Sequence, residues 1–175
     1  MTARQHQQRF AALLHEHRRI VFKVAGLYSR TVADREDLIQ EISVQLWRSF
    51  AHYDEQRAKF STWLYRIALN VAISQARRER WVESGRFEPL ETHHLETVGG
   101  GAAMAEPDER LTELYAFIGQ LDPLNRALIL LYLEDRHYAE IAEILGISET
   151  NVATKISRIK QKLRGQMTAP ASTGA

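Results

Sequence analysis

The chain has 175 residues, enough for one ordinary domain or two small ones. Its apolar share of 45% is that of a folded protein and excludes a wholly disordered chain, and no apolar run approaches the ~18 residues of a membrane-spanning helix. Without cysteine there is neither a disulfide framework nor a thiolate zinc site, and a net charge of only +1 means that any charged partner must be read from where charge is placed.

The opening MTARQHQQRF lacks the apolar core of a secretory signal, so with no cysteine the expected compartment is a reducing cytoplasm, with no membrane insertion. From about Gln5 to Val82 the pattern is helical. In DREDLIQEISVQLWRSF, Asp34 is expected to cap a helix with Asp37 in its acidic first turn. Leu38, Ile39, Ile42, Leu46 and Phe50 form its buried arc. The other side carries Asp37, Gln40, Glu41, Val44 and Arg48, with Trp47 at the edge, an acidic surface with apolar inserts that suits a protein partner. Packing of Trp47 on the first helix is an equal alternative.

His52 to Lys59 form a polar loop bounded by Tyr53 and Phe60, and Ser61 or Thr62 is expected to cap the helix that follows. In that helix Leu64, Ile67, Ala68, Val71 and Ala72 face the core. Trp63, Arg66, Asn70, Ser74 and Arg77 share the opposite side, extended by Arg78 and Arg80. Arginines bind phosphate, and aromatic rings beside a loop can stack on unpaired bases; a core Trp63 with solvated arginines is the plainer alternative.

GRFEPLETHHLETVGGGAAMAEPDE breaks the pattern with Gly99, Gly100, Gly101, Pro89 and Pro107 and reads as an acidic tether. Asp108 and Asp122-Pro123 are the next caps. In YAEIAEILGISETNVATKISRIKQKLR, Tyr138, Ile141, Ala142 and Leu145 share one face of a short helix. Gly146 supplies the positive φ of a sharp turn, and Ser148 caps the second helix. There Val152, Ile156, Ile159 and Leu163 form the apolar stripe. Asn151, Lys155, Arg158 and Lys162 line one flank, and Thr150, Thr154 and Gln161 lie opposite the stripe. Short polar groups near the N-terminus with cationic groups beyond are what a major-groove helix needs: the former reach base edges, the latter phosphates. The alternative is a solvated basic helix end. The fold expected is all-α, two small helical units: 1–82, a linker over 83–109, 110–167, and a tail over 168–175. Each unit buries little core by itself.

DLIQEI, then FSTWLYRIALNVAI with ARRERW, then the helix-turn-helix, together resemble the extracytoplasmic-function group of bacterial RNA polymerase sigma factors. The resemblance covers most of the chain outside the linker and tail. It implies sigma region two over 1–82 and region four over 110–167. It implies that Asp37, Gln40, Glu41, Val44 and Trp47 dock on the clamp helices of the largest polymerase subunit, and that the polymerase flap region is a further contact. Tyr53, Phe60, Ser61, Trp63, Arg66, Asn70, Arg77 and Arg78 would hold the minus-ten element, with a base flipped into the Tyr53–Phe60 loop. Ser148, Thr150, Asn151, Thr154, Lys155, Arg158 and Lys162 would read the minus-thirty-five element. An anti-sigma partner is a further expectation, while no cofactor, metal or catalytic residue is implied.

The sequence departs from the family pattern at Ser74, where an acidic residue is common, and at Ala153 and Lys155, where a basic residue and arginine are common. Lysine lacks the bidentate guanidinium fork, so promoter sequence does not carry over from relatives. Two other readings compete with this one. Glu91 with His94 and Glu134 with His137 have the Glu-x-x-His spacing of di-iron bundles, but one pair lies in the linker and the other straddles a turn. A helix-turn-helix regulator that is not a polymerase subunit would leave DLIQEI and FSTWLYRIALN unexplained.

Overall fold

A computed structural model of the chain describes residues 1–82 and 108–168. The chain divides into two compact units, Met1–Pro107 and Asp108–Ala175. Among the described residues every regular element is a helix. Most of the expected linker and tail lie outside these residues; at their margins, Asp108 and Glu109 open a helix and Thr168 ends one.

In the first unit α1 (Ala3–Glu16) and α2 (Arg18–Tyr28) meet at His17, with neither glycine nor proline between them. His17 leaves the helical region at φ −104, ψ 12, while its Nδ1 and its backbone N–H both engage the carbonyl of Leu13. α1 starts in a capping box in which Thr2 and Gln5 each satisfy the other's backbone N–H. α3 (Val32–Ser49) is capped by Thr31, whose hydroxyl accepts the N–H of Asp34, so the cap is not Asp34 as the acidic run suggested. Asp34 instead lies in the first turn, where its charge opposes the helix dipole. A short 3₁₀ turn, Phe50–His52, leads into the loop before α4 (Phe60–Val82). Ser61 and Thr62 lie inside α4 and not at its cap, because Phe60 drops into the core and carries the helix start with it.

α4 packs against both α2 and α3. Leu64, Ala68 and Ala72 are buried as expected, but so are Tyr65, Leu69 and Ile73, giving a wider buried arc than a single stripe, while Ile67 and Val71 are half-buried. Each large apolar group so covered contributes about 1.5–3 kcal/mol relative to exposure. Opposite them Leu38, Ile42, Leu46 and Phe50 fill the α3 side, and Ile39 is half-buried.

In the second unit α5 (Glu109–Gln120) is capped by Asp108 and α6 (Pro123–Leu133) by Asp122, with proline in the first turn. The buried Arg126 donates to the carbonyls of Gly119 and Leu121, holding the end of α5 against α6. Glu134 ends α6 and His137 starts the next helix, with Asp135 between them in the left-handed region. α7 (Tyr138–Leu145) ends at Gly146, whose φ of 68 confirms the turn glycine. Its buried residues are Ile141 and Ile144; Tyr138, Ala142 and Leu145 are only half-covered, so the core face is turned from the stripe expected. α8 (Glu149–Thr168) buries Val152, Ile156 and Ile159 against α6 and α7.

Candidate nucleic-acid interface

The helix-turn-helix of the second unit is built from local chemistry. The N–H groups of Gly146 and Ile147 both reach the carbonyl of Ala142, which closes α7. The Ser148 hydroxyl then accepts the N–H of Asn151 and opens α8, so Ser148 acts as a cap whatever else it touches. The axis of α8 is fixed by Val152, Ile156 and Ile159, and its remaining faces look outward. Thr150, Asn151, Thr154, Arg158, Gln161 and Lys162 are exposed. Lys155 and Ala153 are half-buried on the two sides of the stripe. The Thr154 hydroxyl donates to the carbonyl of Thr150 one turn back, a bond internal to the helix. The exposed side of α8 thus carries small polar groups in its first turns and cations beyond.

The first unit carries two surfaces. On α3, Asp37, Gln40 and Glu41 are exposed, and Val44 (37% exposed) and Trp47 (44%) lie beside them. The Trp47 ring is edge-on to Phe10 of α1 at 5.2 Å and 5.8 Å from His6. Trp47 therefore packs on the first helix while part of its surface stays exposed. Beside it Gln7, Phe10, Ala11, Leu14 and His15 line a surface groove of about 450 Å³.

The other surface centres on the loop after α3. Tyr53 stacks on Phe50 at 5.9 Å and contacts Phe60 at 5.4 Å and Trp63 at 5.0 Å. Its hydroxyl donates to the carbonyl of Ala58, and the Asp54 carboxylate accepts the N–H of Gln56. Burial, and next the Glu55 carboxylate, push the Tyr53 phenol above its ordinary value, which keeps it a neutral donor. Phe60, expected to touch a base, is 5% exposed; it is the floor beneath Tyr53 and Trp63. Ser61 and Trp63 are half-buried, and Arg66, Asn70, Ser74, Arg77 and Arg78 follow along α4 on its exposed side. Sequence reasoning missed Arg9, which reaches Glu55 at 2.6 Å from a position 46 residues earlier, and for which no local pattern existed.

These two helical units, one closing on a helix-turn-helix, are matched by known proteins over nearly their whole length. Residues 13–82 match sigma-70 region 2, and residues 111–163 match sigma-70 region 4. The chain is 30% identical over 154 residues to the ECF RNA polymerase sigma-E factor of Escherichia coli (strain K12), covering 81% of this chain and 78% of that one. It is 29% identical over 165 residues to the ECF RNA polymerase sigma factor SigE of Mycolicibacterium smegmatis, covering 93% of this chain, and it spans 63% of that longer relative. The fold is similar, at a TM-score of 0.65 and 19% identity, to the sigma factor RpoE in complex with the anti-sigma factor NepR from Bartonella quintana, with 94% of this chain and 98% of that one covered. The chain belongs to the ECF group of RNA polymerase sigma factors.

Proposed function

We propose that the chain joins core RNA polymerase, brings it to promoters through two DNA elements, and stabilises the opened minus-ten strand, contributing recognition and no catalytic group. The observation that carries this reading is the α8 surface, where small polar groups and cations share one outward face on a fixed helix-turn-helix. Alone it would suit any major-groove binder. Family membership and the exposed α3 and α4 surfaces add the polymerase and single-strand roles.

In this reading Asp37, Gln40, Glu41, Val44 and the open edge of Trp47 meet the clamp helices. Tyr53, Trp63 and Ser61 receive a flipped base, with Phe60 supporting them from below. Arg66, Asn70, Arg77 and Arg78 hold the strand backbone. Thr150, Asn151 and Thr154 face base edges in the minus-thirty-five element, with Lys155, Arg158 and Lys162 on phosphates and Ser148 at the helix start. The polymerase flap region is a further contact in this reading. An anti-sigma partner fits the described complex of RpoE with NepR, and the cytoplasm fits a chain without cysteine that works on polymerase.

A mobility-shift comparison tests this. Duplex promoter DNA should shift only when core polymerase and this protein are both present. A specific shift by the protein alone, with no affinity for core, would return the chain to the class of plain DNA-binding regulators.

A further inference from the structure

The loop between the 3₁₀ turn and α4 is folded by its own hydrogen bonds. The carbonyl of Asp54 accepts from Arg57 at 3.1 Å and Ala58 at 3.3 Å, and the Tyr53 hydroxyl closes the turn on Ala58. These bonds shape the loop, and contacts with the body of the unit add to them in limiting its opening. Two attachments do that. One is the Tyr53 ring, held among Phe50, Phe60 and Trp63. The other is Arg9 of α1, whose Nη2 pairs with Glu55 Oε2 at 2.6 Å.

α1 is itself anchored beside that arginine. Phe10 is buried and lies 5.1 Å from Phe50 and 5.2 Å from Trp47. The guanidinium therefore projects from a fixed helix. Its charge also lowers the Tyr53 phenol against the upward push of burial and Glu55, so it lies within electrostatic reach of that ring. The charge pattern adds a second reason for the pair. Asp54 and Glu55 would both present carboxylates to an approaching polyanion. Asp54 faces Arg57 at 3.7 Å, and Glu55 is compensated by Arg9.

We propose that Arg9 is a positioning residue for promoter opening: its ion pair with Glu55 clamps the Tyr53–Lys59 loop to α1, holds Tyr53 and Trp63 ready for an unpaired base, and removes a repulsive charge from the path of the strand. The inference rests on the assignment of that loop to the minus-ten element. Preorganised sites bind more tightly because less ordering remains to be done on binding. Both side chains of the pair are solvent-exposed, so the effect is modest, about 2- to 5-fold.

Two readouts test it. In the free protein, Arg9→Ala should speed amide exchange of Gln56, Arg57 and Ala58 by about 2- to 5-fold, with an unchanged melting curve for the rest of the unit. Unchanged exchange would overturn the clamp independently of any DNA role. With core polymerase and a promoter carrying 2-aminopurine in the minus-ten element, Arg9→Ala should lower the open fraction by a similar factor at low salt, with core affinity intact and the gap closing as salt rises. Arg9→Glu should be worse, and Arg9→Glu combined with Glu55→Arg should recover. If the double variant stays as defective as Arg9→Glu alone, Arg9 acts by touching DNA directly and the positioning role fails. If exchange behaves as expected while the native protein opens no promoter with core, the clamp stands and the minus-ten assignment of its loop is what fails.

Discussion

The ammonium of Lys160 in α8 lies 4.3 Å from the centroid of the Tyr132 ring in α6. This contact divides a run of cations that look equivalent in sequence. Lys160 is half-buried and packs on the scaffold, whereas Arg158 and Lys162 are exposed. Lys160→Ala should cost about 0.5–1 kcal/mol of stability in the second unit, measured by thermal unfolding, and leave the salt dependence of promoter binding nearly unchanged.

Arg158→Ala should behave in the opposite way. Stability should change by less than about 0.5 kcal/mol, since the side chain is exposed. The slope of log affinity against log salt should fall by about 0.9 for the one phosphate contact removed. Lys155→Ala should also weaken use of a promoter that depends on its upstream element. Unchanged transcription from such a promoter would remove both residues from the interface.

Gly146 adopts φ 68 with open space around the position of a Cβ, so Gly146→Ala meets strain but no clash. Loss of about 1–2 kcal/mol from the second unit is expected in chemical denaturation, with the fold retained. A neutral result would show that the turn relaxes out of the left-handed region at little cost.

Glu41 is exposed on α3 and accepts a hydrogen bond from the Gln45 side chain one turn further on, so reversing its charge leaves the core intact. Glu41→Lys should weaken core polymerase binding on the order of tenfold, about 1.4 kcal/mol, in a competition assay. Normal affinity would move the docking surface elsewhere.

Tyr53 supplies a pH test. Its folded pKa is raised above the ordinary 10.0, chiefly by burial and then by Glu55. The folded state therefore holds the phenolic proton more firmly than the unfolded state. The contribution is fully present below pH 10.0 and is lost as pH climbs through the folded value. Tyr53→Phe should flatten the alkaline loss of first-unit stability above that point; an identical alkaline profile would show that Tyr53 is not the group responsible.

How much of this was legible in sequence follows from how local each feature is. Asp108, Asp122, Ser148 and Gly146 act within a turn of their own position, and the structure places all of them as their residue types required. Thr31 was missed because two cap-forming residues stood within one turn of each other, and Asp34 was the more conspicuous. The extra burial of Tyr65, Leu69 and Ile73 comes from α4 lying between two helices, which a single-stripe reading of one helix cannot show. Phe60 read as a boundary of the loop and a member of the minus-ten set, and it is buried against Tyr53 and Trp63. The Arg9–Glu55 and Lys160–Tyr132 contacts join separate elements through tertiary packing, and exposed charged residues give no pattern from which such partners can be chosen.

The most direct measurement is run-off transcription on a library of genomic fragments with purified core polymerase, with and without this protein. A sigma-factor role requires new, discrete start sites that appear only when the protein is added, share two upstream elements, and weaken with Arg158→Ala. Intact binding to core with no new transcript from any fragment would contradict it.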